Sequence, residues 1–86
     1  MAYTVYVLYS KKDKKLYVGC TNNMEKRLER HNCGYVLATK NRRPLVLIRK
    51  ENIDDKSTAF NRERFLKSLW GSREKKSILK RYLGNG

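Results

Sequence analysis

Leu16-Tyr17-Val18-Gly19-Cys20-Thr21 runs directly into Asn22-Asn23-Met24-Glu25-Lys26-Arg27-Leu28-Glu29-Arg30-His31. The first six residues are a short apolar and β-branched run closed by a Thr-Asn-Asn cluster, which predicts a strand feeding a helix. Asn22 with Glu25 three residues later forms a capping-box-like pair and sets the helix start near Met24. At about 100° per residue, Met24 and Leu28 lie about 40° apart, and Arg27 and His31 fall within about 60° of Met24. The face that should meet the core therefore also carries a guanidinium and an imidazole. A snorkelling Arg or a satisfied core His explains either residue alone. Both together, just after a strand that bears a tyrosine, point to a site.

Working outward, Tyr3-Thr4-Val5-Tyr6-Val7-Leu8-Tyr9 is aromatic and β-branched and predicts a second strand, with Lys11 to Lys15 as the polar turn of a hairpin. Register decides what this hairpin presents, because a slip of one residue moves every side chain to the other face. Pairing Ser10 with Lys15 across a four-residue loop puts Tyr6, Leu8, Tyr17 and Gly19 on one face. Beyond the helix, Asn32 to Arg43 is a loop ending in the basic stretch Lys40-Asn41-Arg42-Arg43. Pro44 then introduces Leu45-Val46-Leu47-Ile48-Arg49-Lys50, a near-continuous apolar run suited to a strand covered on both faces. Ser57 is the expected N-cap of a second helix that runs through Trp70 and stops at Gly71. A third helix starts at Ser72, with Ile78, Leu79, Tyr82 and Leu83 as its buried edge and Gly84 as its stop. The expected fold is α+β, a three-stranded antiparallel sheet covered by helices in the order ββαβαα.

The wheel of the second helix contains another anomaly. Ala59, Leu66 and Trp70 centre an apolar stripe flanked by Leu69, and Glu63 lies inside it, about 40° from Ala59 and about 20° from Trp70. A lone carboxylate on a core-facing surface is costly unless it is paired or holds a metal. A buried ion pair with Arg27 or another base and a functional role weigh about equally.

Composition bounds the rest. Eighty-six residues make one small domain over 1–86, with a core over about 3–70 and a C-terminal helix over about 72–83. The Gly84-Asn85-Gly86 tail reads as disordered. No apolar run approaches the ~18 residues of a transmembrane helix and Met1-Ala2-Tyr3-Thr4 begins no signal peptide, so the default location is the cytoplasm. Twenty-one Lys and Arg against eight Asp and Glu give a net charge of +13, distributed along the whole chain. That excess calls for a polyanion, nucleic acid before an acidic membrane. Cys20 and Cys33 are expected to be free thiols, and Cys33 beside His31 is too sparse a set for zinc.

Val5-Tyr6, Tyr17-Val18-Gly19, Arg27 and His31 in the next helix and Glu63 in the following one together resemble the GIY-YIG nuclease superfamily, in particular its small stand-alone bacterial members (UPF0213-like). The resemblance covers about Tyr3 to Trp70. Thr4-Val5-Tyr6 stands where the family name has Gly-Ile-Tyr, and Val18 replaces the middle Ile. Thr39 and Pro44 also resemble family positions. The resemblance implies hydrolysis of a DNA phosphodiester with one divalent ion, Mg²⁺ or Mn²⁺, in repair or recombination. Glu63 would hold the metal. Arg27 would bind the scissile phosphate. Tyr6, with Tyr17 beside it, would accept the proton of an attacking water or orient it, and His31 would relay a proton or simply hold that water. Gly19 would let backbone approach the phosphate, and Thr39, Lys40, Arg42, Arg43 and Lys67 would line the substrate surface. DNA is favoured over RNA, and a protein partner would supply specificity. The alternative is a non-catalytic or partner-dependent nucleic-acid-binding module on the same fold. A third reading, a basic RNA- or ribosome-associated protein, rests on charge alone.

Overall fold

The structure, a computed structural model, describes residues 2–84; the expected disorder of the tail beyond Gly84 falls outside them. Seven elements follow in order: β1 (Tyr3–Ser10), β2 (Leu16–Thr21), α1 (Met24–Asn32), a 3₁₀ turn (Lys40–Arg42), β3 (Leu45–Ile53), α2 (Lys56–Lys67) and α3 (Ser72–Gly84). The strands form one antiparallel sheet in the order β2-β1-β3, so the fold is α+β with the sequence ββαβαα. No helix among the described residues is long and apolar enough to cross a membrane.

The hairpin register is the one that places the tyrosines together. The Ser10 amide donates to the Lys15 carbonyl at 2.9 Å. Leu8 then pairs with Tyr17 and Tyr6 with Gly19, so all four share a face. Alternation along β1 sorts the molecule into two layers. Val5 and Val7 pack with Val18, Ala59, Leu66 and Ile78 beneath α2 and α3. Tyr6 and Leu8 pack with Leu45, and Tyr17, Met24, Leu28 and Leu47 close over them beneath α1. The strand covered on both faces is therefore β1, buried from Thr4 to Ser10, and not the apolar run of β3. β3 sits at the sheet edge with mostly half-buried residues, because its second half turns charged and a bulge opposite Val7 and Leu8 shifts its register.

Both predicted helix caps move by one or two residues. Asn23, not Asn22, caps α1: its side chain accepts from the Lys26 amide at 3.2 Å, and Glu25 closes no box. Asp55, not Ser57, caps α2, accepting from the Thr58 amide and hydroxyl at 2.8 Å each. A carboxylate is the stronger acceptor at the positive end of a helix. The end of α2 also differs. The helix stops at Lys67, where the Ser68 hydroxyl donates to the Phe65 carbonyl at 2.6 Å and closes the last turn. Leu69 and Trp70, expected in the apolar stripe, lie beyond the helix and are 89% and 84% exposed. Leu83, expected at the buried edge of α3, is exposed as well.

Arg62 fastens α2 to the sheet and to α3. Its guanidinium takes Glu51 of β3 in a fork, at 2.8 and 3.0 Å, and also binds Glu74 of α3. This pairing holds the Glu51 carboxyl below its usual range. The boundary at Lys67 makes a stability prediction. Leu66→Ala, which empties a buried position, costs about 2–5 kcal/mol, whereas Leu69→Ala changes stability by less than about 0.5 kcal/mol. Urea denaturation of the two variants decides it; equal losses would restore a helix running through Trp70.

Candidate active site

The tyrosine face of the hairpin meets α1 in a hydrogen-bonded chain. The Tyr6 hydroxyl lies 3.0 Å from His31 Nε2, and His31 Nδ1 lies 2.7 Å from Thr39 Oγ1. Thr39 Oγ1 is in turn 3.5 Å from the Val36 carbonyl. One proton arrangement satisfies every member: Thr39 donates to Val36, His31 Nδ1–H donates to Thr39, and Tyr6 donates to the bare Nε2. All three side chains are buried. Burial, with the Arg27 guanidinium second, lowers the His31 imidazole to about 4, so the ring is neutral at pH 7. Burial likewise lifts the Tyr6 phenol above its ordinary range, against the opposing pull of Arg27.

Gly19 makes this placement of Tyr6 geometrically feasible. It faces Tyr6 across the ladder, and a Cβ there would clash with the phenol oxygen and the ring carbon that bears it. The glycine is buried under the tyrosine, so its hydrogen atom serves ring packing where phosphate access was expected. Thr39 is also inward, holding the His31 ring, and as a fully buried residue it positions a group of the site instead of lining the substrate surface.

Around this neutral core stand the charges. The Tyr17 ring lies 6.5 Å from that of Tyr6 and 5.2 Å from the His31 ring, centroid to centroid. Lys67 Nζ sits 5.6 Å from the Tyr17 centroid and 3.1 Å from Glu63 Oε2. Because α2 packs on the opposite layer, Lys67 reaches Tyr17 around the free edge of β2. Arg27 of α1 and Glu63 of α2 both act on the Tyr6 phenol, and both act on the Cys20 thiol, which packs on the Val5 side of the sheet. The site thus straddles the β2 edge, with an arginine from one layer and a carboxylate from the other. Glu63 has Lys67 as its ion-pair partner, not Arg27.

The basic residues of the loop separate. Arg42 binds Asp13 at 2.6 Å and the Leu16 carbonyl at 3.3 Å, fastening the hairpin turn and holding the Asp13 carboxyl down to about 2. Lys40 and Arg43 remain exposed and, with Lys12, Asn32, Asn41 and Pro44, line an open cleft of about 480 Å³. Asn32, which the sequence left in the loop, ends α1 and clamps it to β3 through the Leu45 amide and carbonyl, at 2.9 and 3.1 Å. Asp13 and Asn32 are the structural residues that sequence reasoning missed; each acts through a partner 13 or more residues away.

No group of three or more His, Cys, Asp and Glu side chains occurs among the described residues, so they form no protein cage for a metal. Glu63 offers one half-buried hard-oxygen donor. That donor fits an ion whose shell is completed by water and by substrate phosphate oxygens.

Comparison with known proteins shows what the whole chain is similar to. Residues 2–77 match the GIY-YIG catalytic domain family. The chain is 45% identical over 76 residues to a UPF0213 protein of Natronomonas pharaonis, covering 87% of this chain and 86% of that one. It is 40% identical over 78 residues to a UPF0213 protein of Staphylococcus haemolyticus, covering 90% and 94%. The solution NMR structure of a UPF0213 protein from Bacillus halodurans superposes with a TM-score of 0.58 at 26% identity, over 91% of this chain and 83% of that one.

Two measurements test the buried chain. His31 is the single histidine, and its folded value near 4 lies below the ordinary 6.5, so the unfolded chain binds the proton first. The stability it contributes is complete above pH 6.5 and is lost as pH falls toward 4. The loss amounts to about 2 kcal/mol between pH 7.5 and 5. Urea midpoints and the imidazole NMR signal check this: the native ring should not titrate above pH 5, and a midpoint near 6.5 would show it solvated. Gly19→Ala should cost about 1–3 kcal/mol through overpacking against Tyr6; an unchanged urea midpoint would mean the ring has room to move.

Proposed function

Because this chain belongs to the GIY-YIG catalytic domain family, a nuclease superfamily whose substrate is nucleic acid, we propose that it is a metal-dependent endonuclease that hydrolyses DNA phosphodiester bonds. The observation that carries the reading is the buried Tyr6–His31 hydrogen bond, with the charges of Arg27 and Glu63 both acting on the Tyr6 phenol. Phosphodiester hydrolysis needs an activated water, neutralisation of charge on the phosphate and support for the leaving oxygen. This site supplies a group for each.

Arg27 binds the scissile phosphate; its planar donors suit two phosphate oxygens, and its charge opposes the charge that grows there. Tyr6 accepts the proton of the attacking water. A buried phenolate would be costly, and the 3.0 Å approach of the Tyr6 hydroxyl to His31 Nε2 supports a way around it, since a bare Nε2 can take the phenol proton. Taking up one proton while handing the other to His31 leaves the phenol neutral throughout. An incoming phosphate also offsets the field of Arg27, one of the two effects that keep His31 neutral, and so makes the imidazole a better acceptor. Thr39 holds the ring in the tautomer this requires. Tyr17, half-buried at the β2 edge, orients the water. Glu63 would hold one divalent cation, Mg²⁺ or Mn²⁺, which when bound adds positive charge at the phosphate and leaving oxygens. Lys67 steadies the Glu63 carboxylate and brings a further cation to the edge where phosphate would enter. Lys40 and Arg43 extend the basic surface beyond the site. DNA is the proposed substrate, with RNA as the comparison arm of the test, and a protein partner would restrict which DNA is cut.

Cleavage of duplex, single-stranded, flapped and four-way DNA, and of matching RNA, with Mg²⁺ or Mn²⁺ tests the proposal. Arg27→Ala, Tyr6→Phe and Glu63→Gln should each lower metal-dependent cleavage by about 10²-fold or more. Glu63→Gln should retain binding, and that binding should weaken steeply with salt. Tight binding without cuts on every substrate would replace the enzyme by a binding module.

A further inference from the structure

The turn between α2 and α3 exposes apolar surface where a small soluble fold gains nothing by it. Leu69 and Trp70 stand 89% and 84% out of the protein. Their backbone is nonetheless held firmly. The Ser68 amide donates to Phe65 at 3.1 Å, the Gly71 amide to Ser68 at 3.1 Å and the Ser72 amide to Leu69 at 3.1 Å, while the Ser72 hydroxyl donates to Leu69 at 2.7 Å. Gly71 is buried against the last turn of α2, so tightly that a Cβ would strike the Phe65 carbonyl and the Leu66 Cα. The result is a preorganised tip carrying two large apolar side chains.

Position and charge identify what such a tip meets. Trp70 follows Lys67 by three residues, and Lys67 contacts both Tyr17 and Glu63 at the β2 edge. Between residues 64 and 76 the basic side chains are Arg64, Arg73, Lys75 and Lys76, with Lys67 paired to Glu63, against one acid, Glu74, which Arg62 already binds. An indole beside a cationic stretch favours a polyanion that also has an aromatic face, which is an unstacked nucleobase.

We propose that Trp70 is a base-stacking residue that selects nucleic acid with an unpaired or unstacked base beside the site, such as a gap, flap or single strand, over intact duplex. The reason is energetic. Inside a duplex each base already stacks on its neighbours, and inserting an apolar wedge must first undo that stacking. At a discontinuity the base face is free, so the indole gains contact without that cost. Leu69, exposed on the same turn, adds a second apolar side chain next to Trp70 in the chain. The choice of nucleic acid as ligand rests on the proposed function; the role of Trp70 as the discriminating residue does not require cleavage.

Trp70 is the single tryptophan, so its emission reports the contact directly. The full chain is titrated in EDTA, without divalent metal, with gapped duplex, single strand and intact duplex of one sequence. Emission excited at 295 nm should be quenched by the gapped and single-stranded DNA and little changed by the duplex. With fluorescein-labelled DNA, Trp70→Ser should weaken binding to the gapped form by about ten- to a hundredfold. Duplex binding should be unchanged and Trp70→Phe should restore most of the loss. Equal weakening on all three DNAs, or quenching independent of the DNA form, would overturn the proposal. So would a blue shift of Trp70 with protein concentration and a sedimentation coefficient of a dimer, which would assign the tip to a second copy. Selective quenching in a protein that cuts nothing would uphold the stacking residue and refute the nuclease. An unchanged urea midpoint for Trp70→Ser excludes misfolding as the cause.

Discussion

Everything in this molecule depends on β1 being buried on both faces and paired on both edges. A strand in that position must place every side chain in the interior. Its odd-numbered residues, Val5 and Val7, do so as ordinary core beneath α2 and α3. Its even-numbered residues meet α1, and there the chain inserts a phenol in place of a hydrocarbon. A buried hydroxyl needs an acceptor, which His31 supplies, and the imidazole in turn needs an acceptor for its own N–H, which Thr39 supplies. The polar groups of the site are therefore the solution to a packing problem, and no buried side-chain polar atom among the described residues is left without a partner. The other strands follow. β2 must offer a glycine where Tyr6 leans over, and β3 needs its bulge to keep Leu45 and Leu47 on the side of Leu8.

Much of this was legible in the residues. The alternation of Tyr3 to Tyr9, the polar turn and the Gly-Cys-Thr-Asn-Asn sequence define hairpin and helix through local chemistry, and local chemistry is what a single sequence carries. Arg27, His31 and Glu63 stood out because a charge or imidazole on an apolar helical face contradicts its neighbours. What was not legible depended on contacts across the chain. Periodicity continues formally through Trp70, but the Ser68 hydroxyl ends α2 by taking a carbonyl, an event a wheel cannot register. The apolar run of β3 looked doubly buried because hydrophobicity measures preference, not which strand is central. The inward roles of Thr39 and Gly19 required knowing what lies opposite them, and Arg42 looked like a free base until Asp13 was found 29 residues away.

Charge is distributed with the same logic. The net +13 leaves few acids, and half of them are committed to structural pairs or a cap. Glu51 and Glu74 hold Arg62, Asp13 holds Arg42, and Asp55 caps a helix. Glu63 is shared with Lys67 at a rim where the lysine is half-exposed. A carboxylate so placed is shielded only partly, and its surroundings are otherwise cationic. It stays available on a surface whose remaining chemistry attracts phosphate.

The division between a neutral interior chain and charges at the rim bears on how such a protein changes over evolutionary time. Tyr6, His31 and Thr39 are buried in the architecture, so a lineage that exchanges them alters packing as well as the site. Arg27 and Glu63 belong to the boundary, and a lineage can exchange them while the scaffold persists. Catalytic descendants and purely adhesive ones would then differ by few exchanges along the β2 edge, outside the packed interior. A chain of 86 residues has little interior to spare, and this arrangement keeps its capacity for innovation outside that interior.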